Sequence, residues 1–387
     1  MRRRDFVRTM CYGGLATFAL PRVSFAQVRG ASRLVFILLR GGFDGLAAVV
    51  PYGDSDYRSL RESFAFPTSE LVTLDDTFGL APGLSPLRTL WDANELAVVH
   101  AMAIPHRTRS HFDGQAILET GLDHVGSSDG WLNRLLQVMS GKRSGIAIAA
   151  GMPLSLTGSF QVESWSPTQL GAVDDAFLER LAVLYRSDRT LANRFEAALQ
   201  QKDLVGEEPM ARGNARRGGA VAPLMQAAAK ILKQDQGPNI AAMEFSGWDT
   251  HANQGLAGGP LDRLLGQLAE GLVAFRTDMG SAWQNTTVVV MTEFGRTARP
   301  NGTRGTDHGT AGAGFVLGTR IGKSHVVADW PGLANKSLFE GRDLKPTLDT
   351  RAVLKAALSG TFDLTAAQLE KVFPGSAAVR PAAGLIV

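Results

Sequence analysis

Three short runs of nearly unbroken apolar residues, Leu34 to Leu39, Ile240 to Phe245 and Thr287 to Met291, limit most sharply what this chain can fold into. A strand that alternates apolar and polar residues buries one face; one that is apolar throughout has to be covered on both, as strands of a parallel sheet are. Leu96 to Val99, Gly145 to Ala149 and Gly314 to Leu317 repeat the pattern more briefly. Between them, helices are predicted over His111 to Glu119, Trp131 to Met139, Asp174 to Gln200, Leu224 to Lys233 and Leu261 to Thr277. Strands alternating with helices predict an α/β fold with a mostly parallel central sheet and helices on both faces. Within the longest helix, Phe177, Leu181, Leu184, Leu191, Phe195 and Leu199 recur at helical spacing, a stripe read most simply as core packing. Residues 203–219 collect Gly, Glu and Arg and predict an exposed loop, either a mobile cover or a tolerated insertion.

The beginning of the chain carries a different message. Arg2, Arg3 and Arg4 precede an apolar run from Met10 to Leu20 and then Ser24-Phe25-Ala26, the three parts of an export signal over residues 1–26. Arg3-Arg4-Asp5-Phe6-Val7 fits the twin-arginine pattern, which the export machinery reads as an address, and the apolar run is too short for a stable membrane span. The alternative is a basic tail that happens to precede apolar residues. Export predicts a periplasmic or secreted protein whose mature part, residues 27–387, is expected to be one domain. Residues 1–26 hold five arginines and one aspartate, so the remainder carries 35 basic against 36 acidic residues. A near-neutral mature chain gives no reason to expect a nucleic-acid partner. The single cysteine, Cys11, falls within the leader, so the mature part has no disulfide and no thiolate ligand or nucleophile.

Ligands of an open parallel sheet bind where the strands end. All three of the clearest strands end in a glycine-flanked acidic motif: Arg40-Gly41-Gly42-Phe43-Asp44-Gly45, Ser246-Gly247-Trp248-Asp249-Thr250-His251 and Thr292-Glu293-Phe294-Gly295-Arg296-Thr297. Gly305-Thr306-Asp307-His308-Gly309 follows shortly after the third. Carboxylates and imidazoles gathered at one sheet edge make a site for a divalent ion such as Zn²⁺ or Mn²⁺. Asp249 and His251 are two residues apart, so on extended backbone both leave the same face. Each residue also has a plainer reading. Asp44 can be a turn former, His308 a hydrogen-bonded core histidine, Glu293 a partner for Arg296, and Asp307 a support for a neighbouring histidine.

Arg107-Thr108-Arg109-Ser110-His111-Phe112-Asp113 follows the Leu96 to Val99 strand and opens a predicted helix. Ser110 stands at the N-cap position, which is one sufficient reason for a serine there. The other reading is a hydroxyl nucleophile activated by a metal, with Arg109 and the helix N-terminus holding the anionic group being transferred.

Taken together these motifs resemble the family of exported proteins catalogued as domain of unknown function 1501, within the alkaline phosphatase and sulfatase superfamily. The resemblance runs from the Arg40 to Gly45 motif through Ser110-His111-Phe112 and the three later motifs to Asp329-Trp330-Pro331-Gly332-Leu333. It implies an alkaline phosphatase-like fold and a site for one or two divalent ions, Zn, Mn, Ca or Mg. By that likeness Asp44, Ser110 and Glu293 surround one ion, and Asp249, His251 and His308 the other. Ser110 stands where many sulfatases carry a modified cysteine, so no formylglycine is implied unless the serine is itself converted. Phe294 departs from the superfamily's usual Asp-His at that strand end. Phenylalanine cannot ligate, so the ion nearer Ser110 is weakly held, replaced by Mg²⁺ or Ca²⁺, or absent. Asp249-Thr250-His251 is also tighter than the superfamily's usual spacing.

Three functions follow as expectations. The first is a metal-dependent hydrolase of phosphate or sulfate esters outside the cytoplasm, with Ser110 as nucleophile, Arg109 and Arg296 stabilising charge, and an anionic ester or polysaccharide-like substrate. The second is an extracytoplasmic binding or assembly protein that keeps the fold without turnover, since fold does not carry function with it. The third is a metal-free serine hydrolase with His111 or His106 as base, against which stands the lack of a Gly-x-Ser-x-Gly elbow around Ser110.

Overall fold

The computed structural model describes residues 32–139, 143–149, 151–167 and 221–386, with isolated residues between 178 and 196. The expected leader at 1–26 and loop at 203–219 lie outside the described residues. Twelve strands are described: β1 Arg33–Arg40, β2 Val49–Val50, β3 Val72–Thr73, β4 Gly79–Leu80, β5 Leu96–Ala103, β6 Gly145–Ile148, β7 Glu163–Trp165, β8 Ile240–Ser246, β9 Thr286–Met291, β10 Gly312–Leu317, β11 His325–Val327 and β12 Leu348–Asp349. The main sheet runs β11-β5-β10-β9-β1-β8-β6-β7, with β12 beside β5 beyond β11, while β2, β4 and β3 form a small antiparallel sheet.

β1 lies in parallel register between β8 and β9, Phe36 facing Ala242 on one side and Val289 on the other. Its alternate residues feed two separate cores. Val35, Ile37 and Leu39 pack with Leu261, Leu265 and Phe275, and Leu34, Phe36 and Leu38 pack with Trp131, Leu135 and Val353. This double burial is why the run is continuously apolar. Each branched or aromatic side chain so buried contributes about 1.5–3 kcal/mol. Helices therefore cover both faces of a mostly parallel sheet, the α/β architecture expected from the sequence. One face holds α1 Val221–Leu232 and α2 Pro260–Met279; the other holds Trp131–Val138, Thr350–Phe362 and Ala366–Val372. No helix among the described residues is long and apolar enough to cross a membrane.

Two sequence expectations need correction. β10, foreseen among the buried strands of a parallel sheet, runs antiparallel to both β9 and β5. Parallel neighbours need a crossover, usually helical. The chain between β9 and β10 forms no helix and folds back at the same edge of the sheet. Within the stripe on the predicted helix at 174–200, Leu184 and Leu191 are exposed and do not pack in the core, while Phe177 and Leu199 lie outside the described residues. Helical spacing shows that a face is apolar, not what covers it.

Candidate metal centre

Parallel β1, β5, β8 and β9 all end at one edge of the sheet, and antiparallel β10 begins there. Strand direction thus delivers the loops after β1, β5 and β8, and the loop that joins β9 to β10, to one place. The Gly41-Gly42 pair makes that convergence possible. Both residues have positive φ, +127° and +70°. A Cβ on Gly41 would lie 2.5 Å from the backbone N of Asp249, and one on Gly42 would lie 2.5 Å from the Phe294 ring.

Four side chains meet in this space: His111, Asp249, His251 and His308. Donor atoms of His111, Asp249 and His308 all lie within 4.8 Å of one another. His251 Nε2 is 2.9 Å from His308 Nε2 and 3.0 Å from Asp249 Oδ1. His308 Nε2 is 3.2 Å from Asp249 Oδ1, and His111 Nε2 is 3.4 Å from Asp249 Oδ2.

The opposite nitrogens decide what these contacts mean. His111 Nδ1 is 2.8 Å from Glu293 Oε1, His251 Nδ1 is 3.0 Å from Asp307 Oδ1, and His308 Nδ1 is 2.8 Å from the Arg109 carbonyl. A carbonyl and two carboxylates can only accept, so each Nδ1 carries the proton and each neutral ring presents a lone pair at Nε2. Three lone pairs and a carboxylate therefore face one another. His111 Nε2 is buried with no hydrogen-bond partner. Arg296 donates to Asp249 Oδ1 and to none of the imidazoles; nitrogen lone pairs crowded against one another repel unless a cation lies among them. Nitrogen and carboxylate donors from three histidines and an aspartate fit a divalent first-row ion, and each histidine already has the acceptor behind it that metal-bound histidines use.

The electrostatics agree with a neutral His308 ring and a charged Asp249 carboxylate. Burial holds His308 below the ordinary imidazole value, against the pull of the Arg109 carbonyl. Burial also pushes the Asp249 carboxyl up, but the hydrogen bond and charge of Arg296 more than offset it and keep the group below its ordinary value. Glu293 is fully buried, which alone would raise its pKa; hydrogen bonds from Gln115, its own N–H, His111 and Gly41 hold it low instead. Asp307 is held low first by its hydrogen bond from Asn301. Phe294 closes the apolar side, its ring 4.9 Å from His111 and 5.0 Å from His308.

Among the residues predicted from sequence, Asp249, His251 and His308 come together. Glu293 stands behind His111: Oε1 accepts from Gly41 N, His111 Nδ1 and Gln115 Nε2, and Oε2 accepts from the Thr292 hydroxyl. Asp44 is not brought to the cluster. Its carboxylate pairs with Arg61, accepts from Gln254 Nε2 at 2.7 Å, and caps the short helix Gly45–Ala48. Ser110 caps the helix His111–Thr120 through a long, 3.4 Å bond from Asp113 N, and it immediately precedes His111. Arg109 is engaged by Asp343 at 2.7 Å and Glu340 at 2.6 Å. Arg296 is fully buried and holds Asp249 Oδ1 at 2.6 Å, the Gly41 carbonyl and Thr306, stitching three loops together. The sequence reading missed His111 as a member of the cluster, placing it only as a base for a serine hydrolase. Its signal was position, one residue into a helix at the end of a buried strand.

The chain is similar to several solved structures, all distant. The zinc complex of the C-terminal periplasmic domain of EcEptC from Escherichia coli is 14% identical, covers 78% of this chain and 77% of that one, and has a TM-score of 0.37. The PsFucS1 sulfatase from Pseudoalteromonas sp. is 12% identical, with 93% and 74% covered and a TM-score of 0.40. The lipoteichoic acid synthase LtaP from Listeria monocytogenes is 11% identical, with 84% and 72% covered and a TM-score of 0.33. No curated protein matches the sequence. The model of the family described as "Protein of unknown function (DUF1501)" matches residues 91–373, a span that holds every member of the four-residue cluster. On that match, which takes in well over half of its length, the chain belongs to the DUF1501 family.

Proposed function

We propose that this chain is a metal-dependent hydrolase of phosphate or sulfate esters that works outside the cytoplasm, on an anionic or polysaccharide-like substrate. The observation that carries the metal is the apposition of three imidazole nitrogens and the Asp249 carboxylate, with the buried Nε2 of His111 lacking a hydrogen-bond partner. His111, Asp249, His251 and His308 would hold the ion. Three nitrogens and a carboxylate suit Zn²⁺ or Mn²⁺ better than Mg²⁺ or Ca²⁺, which prefer oxygen throughout. Such an ion supplies Lewis acidity and makes an oxygen nucleophile available at neutral pH.

The remaining parts are this chain's own. Glu293, Asp307 and the Arg109 carbonyl keep the Nδ1 protons in place and aim the rings. Arg296 fixes the Asp249 carboxylate. Ser110, half-buried beside His111, is the nucleophile in this reading, and the N–H groups at its helix terminus favour the negative charge of the transferred group. The twin-arginine-like leader supports work outside the cytoplasm.

The test is elemental analysis of the protein purified from its exported form, followed by assay of Ser110→Ala on phosphate and sulfate esters. Bound ion that is lost in His308→Ala, with turnover lost in Ser110→Ala while the ion stays, is the expected result. Undiminished hydrolysis by Ser110→Ala rejects the nucleophile. A second reading, a binding protein without turnover, is favoured by the commitment of both Arg109 and Arg296 to carboxylates. A metal-loaded protein that retains an anionic saccharide unchanged through long incubation selects it.

A further inference from the structure

The helix His111–Thr120 presents His111, Gln115 and Glu119 at four-residue spacing, one stripe of its surface. That stripe lies over the ends of β1, β8 and β9, and every member is engaged. Gln115 accepts from Arg40 and donates to Glu293 Oε1 at 3.0 Å. Glu119 pairs with Arg40 at 3.1 Å and accepts from Ser155 N at 3.3 Å. Arg40 also pairs with Glu244, whose residue lies near the end of β8.

The direction of each bond is dictated chemically. Arg40 has only donors, so the amide oxygen of Gln115 must face it. The amide nitrogen must then face Glu293. Glu293 Oε1 receives Gln115, Gly41 N and His111 Nδ1 together, which fixes its lone pairs and, through them, the ring of His111. Glu119 and Glu244 hold Arg40 from the far side. From these contacts we propose that Arg40 and Gln115 are positioning residues for the metal ligand His111, acting through Glu293 without touching the ion. This rests on the metal-centre reading above.

The network makes a specific demand. Gln115→Leu keeps comparable bulk but removes the donor to Glu293, and residues behind metal-bound histidines typically change affinity by about 10–100-fold when removed. The experiment titrates wild type and Gln115→Leu with Zn²⁺ against a competing chelator and records the visible spectrum of the Co²⁺-loaded forms. Zinc affinity lower by about 10-fold or more, with an altered cobalt spectrum and a metal-free protein that melts near the wild-type temperature, is expected. Should Gln115→Leu fail to fold, Arg40→Lys takes its place. It keeps a positive charge against Glu119 and Glu244 but loses the fork that reaches Gln115 as well, and it too should bind zinc more weakly. Unchanged affinity and spectrum in whichever variant folds overturn the positioning role alone. A wild-type protein that takes up neither ion overturns the metal reading and this inference with it.

Discussion

Asp44 and Asp249 look alike in the sequence, each closing a glycine-bearing motif after a buried strand, yet the structure gives them different surroundings. A double-mutant cycle on Asp44 and Arg61 separates a structural ion pair from a metal ligand. The two side chains are 1% and 0% exposed, and Arg61 Nε and Nη1 have no other partner. Arg61→Met leaves a buried carboxylate with only Gln254 and the Ala47 N–H to satisfy it. Removing one partner of a buried pair costs about 3–5 kcal/mol, because the other charge remains out of water. Asp44→Leu should cost a similar amount by stranding the guanidinium.

The double variant Asp44→Leu/Arg61→Met removes both charges and keeps apolar bulk. It should lose only the cap on Gly45–Ala48 and the bond from Gln254, about 1–2 kcal/mol together. Equilibrium urea denaturation of the four proteins then gives a coupling of several kcal/mol. Metal content should be unchanged in every variant that folds. Additive single effects, or an Asp44 variant that keeps wild-type stability but loses its ion, would refute this reasoning and return Asp44 to the ligand set expected from the superfamily.

Three further outcomes follow. His100 is fully buried in β5, with Nδ1 accepting from Ala101 N at 2.7 Å and Nε2 donating to the Val49 carbonyl at 3.1 Å, so burial holds its pKa down to about 4. The unfolded ring takes a proton below about pH 6.5 while the folded ring stays neutral, so stability is lost as pH falls from about 6.5 to about 4. The loss approaches about 3 kcal/mol, and His100→Gln should flatten that part of the pH–stability curve measured by urea denaturation. Zn²⁺ at about 100 times its dissociation constant should stabilise the wild-type protein by about 2.7 kcal/mol in calorimetry and leave His308→Ala nearly unmoved. Gly295→Ala should destabilise by about 1–3 kcal/mol. Its Cβ would fall 1.8 Å from the Ala311 carbonyl oxygen, where two stretches of backbone lie in contact. Because Arg296 and His308 are paired across that contact, the same variant should hold zinc more weakly.

Much of the fold was legible because burial on both faces leaves a plain mark, and the apolar runs of β1, β8 and β9 carry it. The helices Thr350–Phe362 and Ala366–Val372 also carried signals that went unread, Asp349 capping the first and the Thr365–Gln368 capping box opening the second. Strand direction left no such mark. Nothing local to Gly312–Leu317 states that it runs against its neighbours, yet that reversal is what brings His308 to the edge where β8 leaves Asp249 and His251.

The candidate site was legible as chemistry and less so as assignment. Acids and histidines at strand ends marked its place, but which of them meet depends on partners far away in sequence. Arg61, 17 residues after Asp44, draws that carboxylate into the interior. Gln115 and Gly41 turn Glu293 away from the cluster and toward the back of His111. His111 itself was overshadowed by Ser110, because a serine at a helix start suggests both a cap and a nucleophile. The deciding information was the acceptor behind each imidazole, and three acceptors drawn from two loops far apart in sequence are a property of the folded chain. Pairing distant groups is what joined three of the candidates, Asp249, His251 and His308, to His111 in one cluster of four, with Glu293 behind it and Asp44 held apart by Arg61.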